Sequence, residues 1–191
     1  MNNTITNRQG KTLSIQVDGS ENLPVIILSN SLGTDKGMWD PQAAYFKDKY
    51  KVVRYDTRGH GKSDVIEDTT LANLGEDVID IMDALNIEKA HFCGISMGGI
   101  TALWLGLNAA HRFNSITVAN SAAKIGQVDA WISRADAVEQ NGLADLVKTK
   151  YTGVYYGITK ADEKIYYITY NKNSKKIFEK IGSEKEKITA V

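Results

Sequence analysis

The chain has 191 residues, with 23 basic and 23 acidic side chains and a formal net charge of zero. That balance leaves no electrostatic footprint for nucleic acid or an acidic membrane surface, and the length suits one domain with a short appendage. The single cysteine, Cys93, cannot form an internal disulfide. A polar start and the lack of a long apolar run predict a cytoplasmic protein with neither signal peptide nor membrane span.

In chain order, residues 4–7 and 13–17 flank Gly10 and predict an opening hairpin. Two apolar, β-branched runs follow at residues 25–28 and 51–55, separated by a helix over 41–46 with Pro41 near its start. Leu71, Leu74, Val78, Ile81, Met82 and Leu85 recur at helical spacing with acidic residues between them, behind a Thr69 or Thr70 cap. Residues 90–93 and 115–119 predict two further strands with a helix between them. Such alternation requires a mostly parallel sheet with helices on both faces.

Between the fifth strand and the next helix stands Gly94-Ile95-Ser96-Met97-Gly98. A serine at a strand-to-helix turn sits in strained backbone geometry. Glycines two residues before and after it avoid collisions between a β-carbon and the neighbouring strand or helix. The turn lifts the hydroxyl above the sheet and brings helical N–H groups toward it, as attack on a carbonyl requires. Ser96 is therefore the candidate nucleophile. Cys93, on the strand before it, reads as core filling.

Three more segments narrow the reading: Ser29-Asn30-Ser31-Leu32-Gly33-Thr34-Asp35, Asp56-Thr57-Arg58-Gly59-His60-Gly61-Lys62-Ser63, and Ala119-Asn120-Ser121-Ala122-Ala123-Lys124-Ile125-Gly126. Together with the elbow and Trp131-Ile132-Ser133-Arg134, they resemble the 3-oxoadipate enol-lactonases of the α/β-hydrolase superfamily. The resemblance runs from about residue 4 to about residue 149. It implies an α/β-hydrolase fold, a Ser-Asp-His triad, a helical cap, and a lactone substrate from aromatic catabolism in the β-ketoadipate pathway. No cofactor and no metal is implied. Residue by residue, Ser96 matches the nucleophile, and Leu32 and Met97 match the two residues whose backbone N–H groups bind the oxyanion. The substrate carries a carboxylate, so Arg134 with Trp131 is the candidate cation site, with solvated surface for Arg134 and cap core for Trp131 as the alternatives.

The triad partners are expected after the serine, first an acid and then a histidine. No such histidine is present: the three are His60, His91 and His111. His60 lies on a loop two strands from the elbow and suits holding that loop by hydrogen bonds. His91 belongs at the far end of the sheet, and His111 near the end of the helix after the elbow. Asp56 suits pairing with Arg58 or capping its turn as well as it suits catalysis.

Beyond residue 150 the chain is rich in tyrosine and lysine and lacks arginine. The expected organisation is a hydrolase core over 1–126, the start of a cap over 127–149 and a divergent tail over 150–191. In this reading the fold is C-terminally truncated, its last strands and most of its cap missing or replaced, and catalysis by the chain is impaired. Residues 164–170 suggest a strand and 175–180 a short helix. Unless residues 165–170 add themselves as a surrogate strand, the strand at 115–119 becomes an exposed edge that invites association. Three functions stand: an enol-lactone hydrolase, another carboxylesterase of the superfamily, or a non-catalytic remnant that at most binds ligand.

Overall fold

A nine-stranded sheet in the order β1-β2-β4-β3-β5-β6-β7-β8-β9 organises the protein. It is seen in a computed structural model that describes residues 2–67, 69–141, 155–161, 164–171 and 176–181, with side chains over 3–67 and 69–140. The opening hairpin is β1 (Asn2–Thr6) and β2 (Thr12–Asp18), turned at Gly10 with φ 72°. Strand β2 runs antiparallel to β4 (Lys51–Tyr55), and β4, β3 (Val25–Ser29), β5 (Ala90–Ile95) and β6 (Phe113–Ala119) form a parallel centre.

The faces of that centre follow from alternation along each strand. Ile27, Val53 and Phe92 turn to one face, where α2 (Leu71–Ala84) and α3 (Met97–Asn108) cover them with Val78, Ile81, Met82, Ala102 and Leu105. Leu28 and Val52 turn to the other face and meet Trp39 and Ala43, the latter from α1 (Asp40–Phe46). Each such fully buried aliphatic side chain contributes about 1.5–3 kcal/mol. Thr70 caps α2 in a reciprocal box with Asn73. Helices α2 and α3 approach closely because residue 75 is glycine: a β-carbon there would lie 1.9 Å from the Trp104 ring.

The elements expected through residue 119 are present with modest changes of boundary. His111 falls past the end of α3, in a separate 3-10 turn at Ala110–Arg112. The cap region expected over 127–149 is helix α4 (Val128–Asn141) as far as residue 141; 142–149 lie outside the described residues.

Two expectations for the tail are corrected. Strand β6 is not an edge: β7 (Tyr155–Ala161) lies antiparallel on it, with Ile116 opposite Lys160 and Ala119 opposite Gly157. The segment expected as a strand, now β8 (Lys164–Asn171), pairs one position further out on β7. The short helix expected at 175–180 is instead strand β9 (Lys176–Ile181) on β8. An unpaired row of N–H and C=O groups on β6 is a template for any strand-forming segment, and ladder pairing overrides the weak local preference for helix.

Candidate active site

Strand β5 ends at Ile95 and α3 begins at Met97, so Ser96 alone makes the turn, at φ 55° and ψ −110°. Positive φ in a non-glycine residue costs on the order of 1–3 kcal/mol and persists only where neighbours impose it. Here they do. Ser96 N–H donates to Ala119 O at 2.9 Å, and Ser121 Oγ donates to Ser96 O at 2.7 Å, so both peptide groups are tied to the end of β6. The flanking glycines are steric necessities, as the motif predicts. A β-carbon at 94 would lie 2.0 Å from Gly98 O, and one at 98 would lie 2.4 Å from Ser29 O.

The loop after β3 packs against this turn through Gly98 N–H, which donates to Asn30 O at 2.9 Å. Asn30 is fully buried and donates from Nδ2 to Tyr55 O at 3.0 Å, while Ser29 Oγ and the Tyr55 hydroxyl lie 2.7 Å apart. Those contacts present Leu32, which is 42% exposed, at a cavity of about 840 Å³ that Ser96 also lines. Met97 is the first residue of α3, so its N–H has no intrahelical acceptor and stands at the positive end of the helix.

The opposite wall of the cavity comes from the segment after β6 and from α4. Trp131 donates from Nε1 to Ile125 O at 2.6 Å, and the Arg134 guanidinium lies over its ring, 5.4 Å from the centroid. Gly126, at φ 68°, lets the chain turn beneath that indole. Among the described residues no carboxylate pairs with Arg134, which leaves its charge available to an anion in the cavity. Lys124 also lines this wall, a cation to which the sequence reading assigned no role.

The histidines do not serve Ser96. His60 Nε2 accepts from Gly33 N–H and its Nδ1 faces Arg58 O, each at 3.0 Å, so both nitrogens are engaged. His91 pairs through Nδ1 with Ser115 Oγ at 2.7 Å, and it stands about 16 Å down the strand at about 3.3 Å per residue. Among the described residues no side chain accepts a hydrogen bond from Ser96 Oγ.

Asp56 does not pair with Arg58. It accepts from Lys36 N–H at 2.7 Å and from Lys36 Nζ at 2.6 Å, and it caps the turn by accepting from Lys62 N–H at 3.0 Å. Burial alone raises the Asp56 carboxyl, but the hydrogen bonds and the ammonium charge of Lys36 outweigh it and hold the group below its ordinary value. Arg58 reaches instead to Asp77 on α2, by two bonds of 2.7 and 2.8 Å. Lys36 and Asp77 were missed as partners because each lies on a separate element, and spacing within one motif carries no information about them.

A family model described as alpha/beta hydrolase fold matches residues 24–157. The chain belongs to the alpha/beta hydrolase fold family. Within it, the chain is 73% identical over 148 residues to 3-oxoadipate enol-lactonase 1 of Acinetobacter baylyi, covering 78% of this chain and 56% of that protein. It is 48% identical to enol-lactonase 2 of the same organism, over 75% of this chain and 54% of that one. The crystal structure of the enol-lactonase from Burkholderia xenovorans superposes with a TM-score of 0.73 at 41% identity, covering 75% of this chain and 56% of that one. This hydrolase-fold chain thus spans about half the length of the relatives it matches. No helix among its described residues is long and apolar enough to cross a membrane.

Proposed function

We propose that this chain supplies the nucleophile half of a 3-oxoadipate enol-lactone hydrolase acting in the cytoplasm on a small lactone. The observation that carries the reading is the bond from Gly98 N–H to Asn30 O, which joins the elbow to the loop bearing Leu32, so that Ser96 and Leu32 line one cavity. The high identity to enol-lactonases supports the substrate class.

Ser96 Oγ attacks the lactone carbonyl, and the N–H groups of Leu32 and Met97 receive the oxyanion that forms. Donors fixed in advance stabilise that charge without reorganisation at the moment of reaction. The ring oxygen leaves as an enolate that ketonises, so protonating it is less demanding than for an alkyl ester, and water then releases 3-oxoadipate. Arg134, stacked on Trp131, holds the substrate carboxylate. The acid and the histidine that activate the serine come from outside the segment of resemblance. The core over 1–126, the cap from 127 and the tail from 150 are accordingly distinct in role.

The test is to append the C-terminal part of an enol-lactonase after residue 149 and follow lactone hydrolysis. Turnover that disappears in Ser96→Ala is expected. Cleavage of simple esters with no lactone turnover would overturn the substrate assignment in favour of a general carboxylesterase. The 191-residue chain itself should show little turnover, since an oxyanion hole without its base retains only about 10³-fold catalysis over water.

A further inference from the structure

The loop that presents Leu32 has little packing to hold it. Leu32 and Gly33 are both exposed, and Gly33 sits at φ 76° with nothing within 4 Å of the position a β-carbon would take. Hydrogen bonds hold it instead, and three come from one turn, Asp56 to Ser63. Asp56 grips the far end of the loop at Lys36, through both the amide and the ammonium. His60 grips its crest, where Nε2 accepts from Gly33 N–H at 3.0 Å.

The second ring nitrogen decides the chemical state of the first. His60 Nδ1 lies 3.0 Å from Arg58 O, and a carbonyl oxygen only accepts, so Nδ1 carries the proton. Nε2 is then bare and is the acceptor that Gly33 requires. Arg58 is itself immobilised: its guanidinium is buried and bound twice to Asp77 on α2. A chain of contacts therefore runs from α2 through Asp77, Arg58 and His60 to the peptide between Leu32 and Gly33.

We propose that His60, as its Nδ1–H tautomer, is a positioning residue that fixes the Leu32–Gly33 peptide, the neighbour of the peptide that carries the Leu32 N–H. The catalytic consequence rests on the oxyanion role proposed for Leu32; the brace itself does not. Neither nitrogen touches the serine, so His60 acts only through Gly33.

The experiment is nuclear magnetic resonance on the 15N-labelled 191-residue chain. A scalar coupling across the hydrogen bond between Gly33 N and His60 Nε2 is expected, with ring nitrogen shifts of the Nδ1–H form. In His60→Ala, hydrogen exchange at Gly33 should accelerate by about tenfold, the effect of losing roughly one hydrogen bond, while the amides of β5 stay protected. His60→Gln, whose Oε1 can take the place of Nε2, should restore the Gly33 protection. Absence of the coupling, ring shifts of the Nε2–H tautomer, or unchanged Gly33 exchange in His60→Ala would each overturn the proposal. Equal loss of protection across β5 and α2 would also overturn it, by making His60 a general structural residue. Failure of the lactone assignment leaves every one of these readouts unchanged.

Discussion

Replacing Gly94 by alanine puts a β-carbon 2.0 Å from Gly98 O, 2.3 Å from Gly98 C and 2.9 Å from Gly99 N. All three are backbone atoms, so no side chain can swing away. Ordinary contact begins near 3.4 Å, so the start of α3 must retreat from β5 by more than an ångström. It cannot retreat freely, because Gly98 N–H is bound to Asn30 O and the backbone of Ser96 is bound to Ala119 and Ser121. Overpacking costs about 1–3 kcal/mol, and each bond sacrificed adds about 1 kcal/mol. The expected loss is therefore about 3–5 kcal/mol, a large share of the roughly 5–15 kcal/mol that holds a domain together. Gly10→Ala is the control. Unlike Gly94, it sits at a left-handed φ of 72°, but a β-carbon there meets no atom within 4 Å, so only the conformational cost of about 1–2 kcal/mol applies. Urea denaturation followed by circular dichroism separates the two through their midpoints. A Gly94→Ala midpoint no lower than that of Gly10→Ala would refute the steric account of the elbow.

Arg58→Ala should cost about 3–5 kcal/mol in the same assay, because it strands the Asp77 carboxylate, 3% exposed, without its cation; the double variant with Asp77→Ala should lose less than the two singles summed. Asp56 has a folded pKa below its unfolded value of about 4, so its contribution is complete above that value and disappears as pH falls through the lower folded value. Asp56→Asn should accordingly be less stable at neutral pH yet flatter in stability as pH falls below about 4, measured as urea midpoint against pH. Burial pushes the Cys93 thiol up to about 11. At pH 8 only about a thousandth of it is thiolate, and an aromatic disulfide reagent should react slowly until urea opens the sheet.

What the sequence discloses is local and steric. Gly94 and Gly98 can be read in advance because the turn at Ser96 tolerates no other residue at either place, and the Thr70 cap because a helix start leaves amides that need an acceptor. Long-range choices were not legible in the same way. Nothing near Asp56 indicates that Lys36 rather than Arg58 will neutralise it, and Asn7 and Asp77, which share a 2.8 Å bond, are 70 residues apart. The strand at Lys176–Ile181 was read as helix because its character comes from the neighbour it pairs with. Trp131 and Arg134 were singled out through the resemblance and the carboxylate it implies for the substrate, and both line the cavity, whereas Lys124 on the same wall had no such pointer.

The bonds that fasten Ser96 reach no further along the chain than Ala119 and Ser121. On the ribosome, where the N-terminal part of a chain emerges and organises first, everything that shapes the nucleophile turn has been synthesised by that point. The shape of the turn at Ser96 is therefore encoded before α4 and the strands of the tail emerge, and nothing in its own bonding waits for them.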